Sequence, residues 1–318
     1  VLGDYMDGIK VLSTGYYAPE NILDNFDLEK MVETSDDWIV SRTGIKKRHI
    51  SKGEDCTEMA YQAALQAIEK IDKNKIGIII CATMTPDYFT PSTACLLQER
   101  LGLNDHEVMC FDLSAACSGF VYALTVAQAL LKNTKDKYAL VVGSEELSKI
   151  IDFTDRNTCV LFGDGAGAVV VSQGDGLFAS YCNSAGNIGA LKAPAINNKE
   201  DNHYLTMAGQ EVFKFAVKVI PESINAILEK TGLEFDDIAY AVCHQANYRI
   251  IKNVYKKMKA EPEKFYMNLQ EYGNTSAASI PLALGEMNAK GMLKSGDKII
   301  CVGFGGGLTW GATLIEWS

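Results

Sequence analysis

The sequence of 318 residues is poor in histidine and has no long apolar run, and both features narrow the kinds of protein it can encode. Its longest apolar stretches, residues 76–82 and 138–143, are far shorter than the roughly 20 residues needed to cross a bilayer. The first residues contain neither a basic segment nor an apolar one, so we expect no secretion signal. We therefore expect no membrane span, and we expect Met6 to be the natural start.

No CxxC pair occurs and only four histidines are present, which argues against a structural zinc site. The nine cysteines, an odd number, lie mostly inside apolar runs, as reduced thiols do and a secreted disulfide framework does not. The net charge of -10 disfavours nucleic acid as a partner. We expect a cytoplasmic protein that has no metal site and binds no nucleic acid.

Short runs rich in β-branched residues alternate with amphipathic segments along the chain, which indicates an α/β fold with buried strands. The same order returns about 160 residues later, where residues 238–243 repeat the pattern of residues 76–81. We therefore predict a duplicated α/β unit, with halves formed by residues 1–173 and 174–318.

Two glycine clusters, residues 163–167 and 305–307, resemble dinucleotide-binding loops at first sight. A loop of that type follows a strand and opens a helix, whereas each cluster here leads into a strand-like sequence. Tight turns or a close approach of the backbone explain the glycines better. A backbone brought close to a substrate can also donate N–H groups to it.

Residues 248–259 form a basic segment in an otherwise acidic chain, with five basic residues and no acidic one. At helical spacing the basic side chains lie opposite Ile250, Ile251 and Val254. The pattern fits a solvated helix face, and it equally fits a docking patch for an anionic partner.

Cys117 stands among small residues between an apolar run and a helix-like pattern. At a helix N-terminus the unpaired N–H groups and the helix dipole favour an anion, so we expect a lowered pKa for Cys117 and a nucleophilic thiolate. The segment alone fits a buried structural thiol equally well. By themselves, His244 fits a histidine of the core and Asn274 fits a helix N-cap. Cys117, His244 and Asn274 all lie at predicted strand-to-helix turns, the usual position of functional sites in α/β sheets.

Taken together, these residues and their flanking motifs resemble the β-ketoacyl-acyl carrier protein synthase III family, the initiating condensing enzymes of bacterial fatty acid synthesis. The resemblance covers nearly the whole chain, and the motifs that carry it lie in residues 15–20, 34–45, 154–156, 162–167 and 304–311. It implies a thiolase-like fold with a layered αβαβα core. The family's Cys-His-Asn triad falls on Cys117, His244 and Asn274.

The resemblance implies a reaction in two steps. Cys117 attacks the thioester of an acyl-CoA, while backbone N–H groups of Cys117 and Gly306 hold the oxyanion, and CoA leaves. Malonyl-acyl carrier protein then enters, and His244 and Asn274 stabilise the enolate formed when carbon dioxide departs. This carbanion attacks the acyl group to give a 3-oxoacyl product, so no tightly bound cofactor is needed.

Binding residues are implied in the same way. Trp38 and Arg156 match the pair that sandwiches the CoA adenine, a stacking suited to an indole and a planar guanidinium. Further CoA contacts are implied for Thr34, Arg42, Gly209, Phe213 and Asn247. The acidic carrier protein is expected to dock on Lys214, Arg249, Lys256 and Lys257.

The acyl pocket departs from the best-known members of the family, in which a bulky aromatic residue of the partner subunit closes the pocket. The matching position here is Thr90, with Phe89 beside it, while Phe162 is expected to line the pocket. Because a smaller side chain lengthens the cavity, we expect primers longer or more branched than acetyl. The shared pocket also implies a homodimer.

Other functions stay open at the level of sequence. A biosynthetic thiolase and a ketosynthase-like acyltransferase of secondary metabolism use the same thiol, although the glycines after Cys301 lie at the wrong offset for a thiolase. A cysteine hydrolase also uses Cys, His and Asn. A non-catalytic acyl-binding protein is a further alternative, but it does not explain why Cys117, His244 and Asn274 occur together. No motif identifies the primer, the carrier protein or the pathway.

Overall fold

The computed structural model describes residues 8–134, 137–195 and 202–318, so the expected start, Met6, lies outside the described residues. A five-stranded sheet comes from the first part of the chain. Its strands, in spatial order, are β1 (Gly8–Tyr17), β7 (Gly165–Gly174), β6 (Tyr138–Glu145), β4 (Ile76–Ala82) and β5 (Met109–Leu113). A four-stranded sheet comes from the second part, in the order β11 (Tyr240–Cys243), β12 (Lys298–Gly305), β13 (Thr309–Glu316) and β8 (Phe178–Ser184).

The two sheets repeat one pairing pattern. In the first, β4 is parallel to β6, which is antiparallel to β7, which is antiparallel to β1. In the second, β11 is parallel to β12, which is antiparallel to β13, which is antiparallel to β8. A parallel bridge between Ala241 and Phe265 occupies the place that β5 has beside β4. The boundary at residue 173 stays a prediction, and it lies one residue before the end of β7.

The helices are α1 (Asn25–Glu29), α2 (Asp36–Thr43), α3 (Cys56–Ile68), α4 (Thr93–Arg100), α5 (Gly119–Leu131), α6 (Arg156–Cys159), α7 (Gly209–Thr231), α8 (Tyr248–Met258), α9 (Leu269–Tyr272) and α10 (Ser279–Ala289). Side-chain caps fix several of their starts. Asp55 accepts a hydrogen bond from the Glu58 N–H at the start of α3, and Ser92 accepts one from the Cys95 N–H at the start of α4.

The helices and sheets stack in five layers. Helices α5 and α10 lie between the sheets, where Phe120 and Ile280 share one apolar core with Ile80 of the first sheet and Cys301 of the second. The outer face of the first sheet packs on α3 and α4, and the outer face of the second packs on α7 and α8. The layered α/β architecture expected from the sequence is confirmed.

Two further sheets of two short antiparallel strands complete the fold. Strand β2 (Ile22–Asp24) pairs with β3 (Lys47–His49), and β9 (Leu191–Lys192) pairs with β10 (Thr206–Met207). Across the described residues, no helix combines the length and the apolar character that a membrane span requires.

Candidate functional site

Cys117 lies in a tight turn that joins β5 to α5, and a matching turn precedes α10. Each is a single 3-10 turn, Ala116–Ser118 in one case and Ser276–Ala278 in the other. Ala116 and Ser276 both have positive φ, at 45° and 49°, a conformation that residues other than glycine adopt at a cost. The two turns are therefore equivalent features of the two halves, and they contact each other across the central layer.

Glycines at the end of β12 let the backbone approach Cys117. A Cβ atom at Gly305 would lie 2.8 Å from the Cys117 nitrogen and 2.9 Å from its Cβ. A Cβ at Gly303 would lie 2.8 Å from the Ser118 Cα. Only glycine permits this packing. The sequence identified the cluster as a close backbone approach but did not single out Gly305.

The Cys117 thiol is buried, and burial raises its pKa to about 12. The Ser276 hydroxyl and the Cys117 backbone N–H act in the opposite direction and lower this pKa in part. The lowered pKa expected from the helix N-terminus is therefore not present in the free protein. The physical reason is that the free energy needed to transfer a thiolate out of water exceeds the stabilisation that the nearby hydrogen-bond donors provide.

His244 follows directly after β11, at the carboxyl end of that strand. Its backbone N–H donates to the Val302 carbonyl at 2.8 Å, and its Nδ1 lies 2.7 Å from the Ser279 hydroxyl. The ring meets Phe304 edge to face at 5.1 Å between centroids. Burial lowers the pKa of His244 to about 3, so the imidazole is neutral near pH 7.

Asn274 is held by its backbone and by one end of its amide. Its N–H donates to the Leu161 carbonyl at 2.8 Å, and its carbonyl accepts from the Gly163 N–H at 3.0 Å. The side-chain oxygen accepts from the Ser276 N–H at 2.9 Å. This arrangement leaves the Nδ2 group as a donor with no partner among the described residues.

The structure brings Cys117, His244 and Asn274 together around one cavity of about 80 Å³. The same cavity is lined by three of the residues expected to contact CoA, namely Gly209, Phe213 and Asn247. It thus offers one sulfur nucleophile beside an imidazole and a carboxamide, with mostly apolar walls. That is the chemistry of acyl transfer to sulfur followed by stabilisation of a negative oxygen.

A second and larger cavity, of about 1280 Å³, adjoins Cys117. Phe162 and Gly306 line it, as does Phe89. Thr90 does not line it within this chain and is exposed on the loop before α4. Because the sequence assigned Thr90 to the pocket of a partner subunit, its role stays a prediction.

The residues expected to hold the CoA adenine lie next to each other. The Arg156 guanidinium stacks on Trp38 at 4.9 Å from the ring centroid, and it donates to the Glu33 carbonyl at 2.8 Å. An aromatic ring fits between two parallel groups only when these are about 7 Å apart, which is twice the van der Waals contact distance. Adenine binding between them therefore requires Arg156 to move away from Trp38.

Thr34 and Arg42 belong to the same side of the molecule but line neither cavity. The Thr34 hydroxyl is buried without a hydrogen-bond partner among the described residues. Asn247 donates through its Nδ2 to the Arg42 carbonyl at 3.1 Å, and its Oδ1 caps α8 by accepting from the Arg249 N–H at 2.7 Å. The roles of Thr34 and Arg42 stay predictions.

The four residues expected to dock a carrier protein are exposed on two packed helices. Lys214 lies on α7, and Arg249, Lys256 and Lys257 lie on α8. Arg249 stacks on Phe213, a wall of the small cavity, at 5.7 Å. Helix α8 buries Ile250, Ile251 and Val254 as its pattern predicted. The cationic surface therefore stands beside the small cavity.

Fold and site together define a class: a thiolase-like α/β enzyme with a buried cysteine as its candidate nucleophile. The family model of 3-oxoacyl-[acyl-carrier-protein (ACP)] synthase III matches residues 111–186, and the model of its C-terminal part matches residues 228–317. The chain belongs to this family. Beta-ketoacyl-[acyl-carrier-protein] synthase III enzymes from Clostridium novyi and Clostridium acetobutylicum are each 50% identical to it, over 98% of this chain and 100% of theirs.

Solved structures agree with this membership. The 3-oxoacyl-[acyl-carrier-protein] synthase III of Aquifex aeolicus VF5 is 46% identical, with a TM-score of 0.92 over 98% of this chain and 100% of that one. The priming β-ketosynthase of the R1128 polyketide pathway is 32% identical, with a TM-score of 0.91 over 98% and 97% of the two chains. The structural neighbours at this level of similarity thus include a priming ketosynthase of a polyketide pathway as well as a 3-oxoacyl-[acyl-carrier-protein] synthase III.

The packing at Cys117 gives a sharp test with one glycine and a control. Gly305→Ala is expected to lower the rate of Cys117 acylation by about 100-fold or more, because its methyl group collides with the cysteine that must attack. Gly186→Ala is the control, since a Cβ atom at Gly186 would meet nothing within 4 Å. Stopped-flow release of CoA measures both. Equal rates in the two variants contradict the assigned packing.

The lowered pKa of His244 predicts how condensation depends on pH. The imidazole is neutral above about pH 3, so it does not titrate between about pH 5.5 and about pH 8. The rate of carbon dioxide release should show no break near the ordinary pKa of histidine, provided that the carrier protein stays folded. A fall in that rate as pH rises through about 6.5, absent in His244→Gln, would mean that His244 acts as a cation.

Proposed function

We propose that the protein transfers an acyl group from acyl-CoA to Cys117 and then condenses it with malonyl-acyl carrier protein to form a 3-oxoacyl-acyl carrier protein, with release of carbon dioxide. The observation that carries the proposal is the convergence of a thiol, a neutral imidazole and a carboxamide on one cavity. Acyl-CoA serves as a substrate, and no tightly bound cofactor takes part.

In the first step Cys117 attacks the thioester carbonyl. Its S–H bond breaks as the sulfur forms the new carbon–sulfur bond, and the carbonyl oxygen becomes negative. When the tetrahedral intermediate collapses, the carbon–sulfur bond to CoA breaks and CoA takes up the proton and leaves as a thiol. The backbone N–H groups of Cys117 and Gly306 hold the negative oxygen in this proposal. Gly305 supports it, because its missing side chain leaves the strand end in contact with the cysteine.

In the second step His244 and Asn274 act on the malonyl thioester. With the Ser279 hydroxyl donating to Nδ1, the neutral imidazole carries its proton on Nε2 and can donate it to the thioester oxygen. Asn274 donates from Nδ2, since its Oδ1 is already engaged by Ser276. Two neutral donors stabilise the enolate left by decarboxylation, and the carbanion attacks the acyl group on Cys117.

Position 90 bears on the primer. A threonine there, if it reaches the partner's cavity, leaves more room than an aromatic ring. This feature supports a primer that is longer or more branched than acetyl.

A homodimer completes the proposal. Strand β5 is an edge of the five-stranded sheet, and an unpaired edge is a template for pairing with another chain. Exposed apolar side chains accompany it, with Phe89 82%, Tyr88 57% and Met109 55% accessible. A second copy that covers this edge brings the loop carrying Thr90 towards its partner. A cytoplasmic location accords with the free cysteines of the chain.

Carbon dioxide release tests the proposed function. The protein is incubated with carboxyl-labelled malonyl-acyl carrier protein, with and without a panel of acyl-CoA primers. Release that depends on a primer and matches the 3-oxoacyl product supports condensation, and the preferred primer gives the chain length. Sustained formation of free CoA without malonyl-acyl carrier protein indicates a hydrolase, and product from two acyl-CoA molecules without carbon dioxide release indicates a thiolase.

The docking surface gives a separate prediction. Lys257→Glu is expected to raise the KM for malonyl-acyl carrier protein by about tenfold while leaving the rate of acylation by acyl-CoA within about twofold, because a like charge repels the acidic carrier. Lys230→Glu on the far end of α7 is the control for net charge. A similar rise in KM for both variants contradicts a localised docking site.

A further inference from the structure

A threonine hydroxyl connects the two chain segments that carry the proposed oxyanion donors. Thr309 is the first residue of β13 and lines the large cavity beside Cys117. Its Oγ1 lies 2.9 Å from the Ala115 carbonyl oxygen and 3.0 Å from the Gly306 carbonyl oxygen. It also lies 3.1 Å from the Ser118 hydroxyl. The proposed reaction gives this hydroxyl no task.

The hydroxyl can serve all three neighbours at once. It has one proton and two acceptor lone pairs, so the two carbonyl oxygens can share the proton while the Ser118 hydroxyl donates to Oγ1. Each carbonyl belongs to the peptide group next to one of the proposed oxyanion donors. The Ala115 carbonyl precedes the peptide that holds the Cys117 N–H, and the Gly306 carbonyl follows the peptide that holds the Gly306 N–H. The contact therefore constrains the orientation of both N–H groups.

The two segments need such a constraint. Ala116, directly before Cys117, has a φ of 45°, a conformation that residues other than glycine adopt at a cost. Residues 306–308, which we call the glycine turn, begin with two glycines in succession, and glycine has wide backbone freedom. A Cβ atom added to Gly306 would lie 3.5 Å from its nearest neighbour, so no tight steric contact fixes this residue.

Backbone hydrogen bonds hold the other side of the glycine turn. The Asn187 N–H donates to the Gly307 carbonyl at 2.8 Å, and the Ala185 N–H donates to the Leu308 carbonyl at 2.8 Å. These bonds attach the turn to the chain that follows β8. Gly305 sets how closely β12 approaches the cysteine, and the Thr309 hydroxyl then restrains the next peptide groups relative to it.

We propose that Thr309 is a positioning residue for the acylation step: its hydroxyl holds the Cys117 turn and the glycine turn in the orientation that lets both N–H groups bind one oxygen. The inference deepens the proposed function and rests on it. Thr309 acts through the two backbone groups and takes part in no proton transfer.

Thr309→Val is expected to lower the rate of Cys117 acylation by about tenfold. Valine keeps the shape of threonine, but its methyl group contacts a carbonyl oxygen at about 3.3–3.6 Å, whereas the hydroxyl lies 2.9 Å from Ala115. The two carbonyls must move apart, and misplaced donors stabilise the transition state less well. Because both N–H groups remain, the loss should be smaller than the 100-fold or more, roughly, that follows deletion of a donor.

Two reagents that react at Cys117 separate positioning from structural damage. With p-nitrophenyl acetate the S–H bond breaks, the sulfur bonds to the acetyl carbon through an intermediate with a negative oxygen, and p-nitrophenol leaves. With iodoacetamide the thiol loses its proton and displaces iodide from a saturated carbon, so no oxygen becomes negative. In Thr309→Val acylation should fall by about tenfold, whereas alkylation should stay within about twofold of the native rate. Mass spectrometry of the Cys117 peptide follows both reactions.

Thr313→Val is the matched control, because it makes the same change on the same strand. Thr313 is completely buried, and its hydroxyl has no hydrogen-bond partner among the described residues. Both reactions should keep their native rates in this variant. Thr309→Ser keeps the hydroxyl and should restore acylation to within about threefold of the native rate.

The remaining outcomes decide against the inference or against the proposed function. Native acylation in Thr309→Val, an equal loss of acylation and alkylation, or a native protein whose Cys117 the ester does not acylate overturns the inference. Thr309→Ala replaces the valine variant if that protein does not fold, and the same selective loss is expected. If the ester shows these effects but acyl-CoA leaves no acyl group on Cys117, the inference stands and the proposed function fails.

Discussion

Cys117→Ser is expected to abolish acyl transfer, with a loss of about 10⁵-fold or more in the rate of CoA release, the scale seen when an enzyme loses its nucleophile. A serine hydroxyl ionises far less readily than a thiol, and no arginine or lysine lies among the residues that line the small cavity to assist it. Incubation with acyl-CoA followed by intact-protein mass spectrometry measures the covalent acyl group directly.

Cys182→Ser is the matched control for this experiment. Cys182 is the most exposed of the described cysteines and lies on β8, away from both cavities. The control should bind one acyl group like the native protein, whereas Cys117→Ser should bind none. An acyl group that persists on the Cys117→Ser protein with native kinetics means that another residue is the nucleophile.

Asn274→Ala is expected to spare acylation and to slow condensation by about 100-fold or more, the typical cost of losing one donor to a developing oxyanion. Acylation survives because the proposed oxyanion donors of that step are backbone groups. The measurement compares the burst of CoA with the later release of carbon dioxide from malonyl-acyl carrier protein. The burst should be close to native while the second signal falls.

Asn274→Asp sharpens this test. Aspartate keeps the oxygen that accepts the Ser276 N–H but loses the Nδ2 donor and adds a negative charge beside the enolate. Condensation in Asn274→Asp should therefore be at least as slow as in Asn274→Ala, although the turn is preserved. Native condensation in either variant removes Asn274 from its role, and a matching loss of acylation means that Asn274 only supports the turn.

The layered fold and the triad could be predicted from the sequence because their signals are local or repeated. The β-branched runs, the amphipathic stripe of α8 and the internal repeat each lie within a short stretch of chain. Cys117, His244 and Asn274 were expected to form a triad because of the resemblance to the family, and their predicted places at strand-to-helix turns accord with that expectation. These features depend on pattern and topology rather than on atomic distances.

The electrostatics of the site could not be predicted in this way. The helix N-terminus correctly indicated donors near Cys117, yet the pKa of the thiol is raised because burial outweighs them. Glu145 resembles, in the sequence, any acidic residue after an apolar strand, and only the folded chain shows that its carboxyl group is fully buried and lies 3.0 Å from the Ser276 hydroxyl. The special position of Gly305 likewise depends on a contact between residues 188 positions apart.

A single-turnover experiment on the native protein tests the central claim most directly: that one thiol first accepts an acyl group and then gives it up to a decarboxylated partner. Mass spectrometry follows the protein after one equivalent of acyl-CoA and again after malonyl-acyl carrier protein. The account predicts one acyl group on the Cys117 peptide, stable until the second addition, and then its loss together with one equivalent of carbon dioxide. Acylation of a different residue, or an acyl group that survives the second addition, contradicts it.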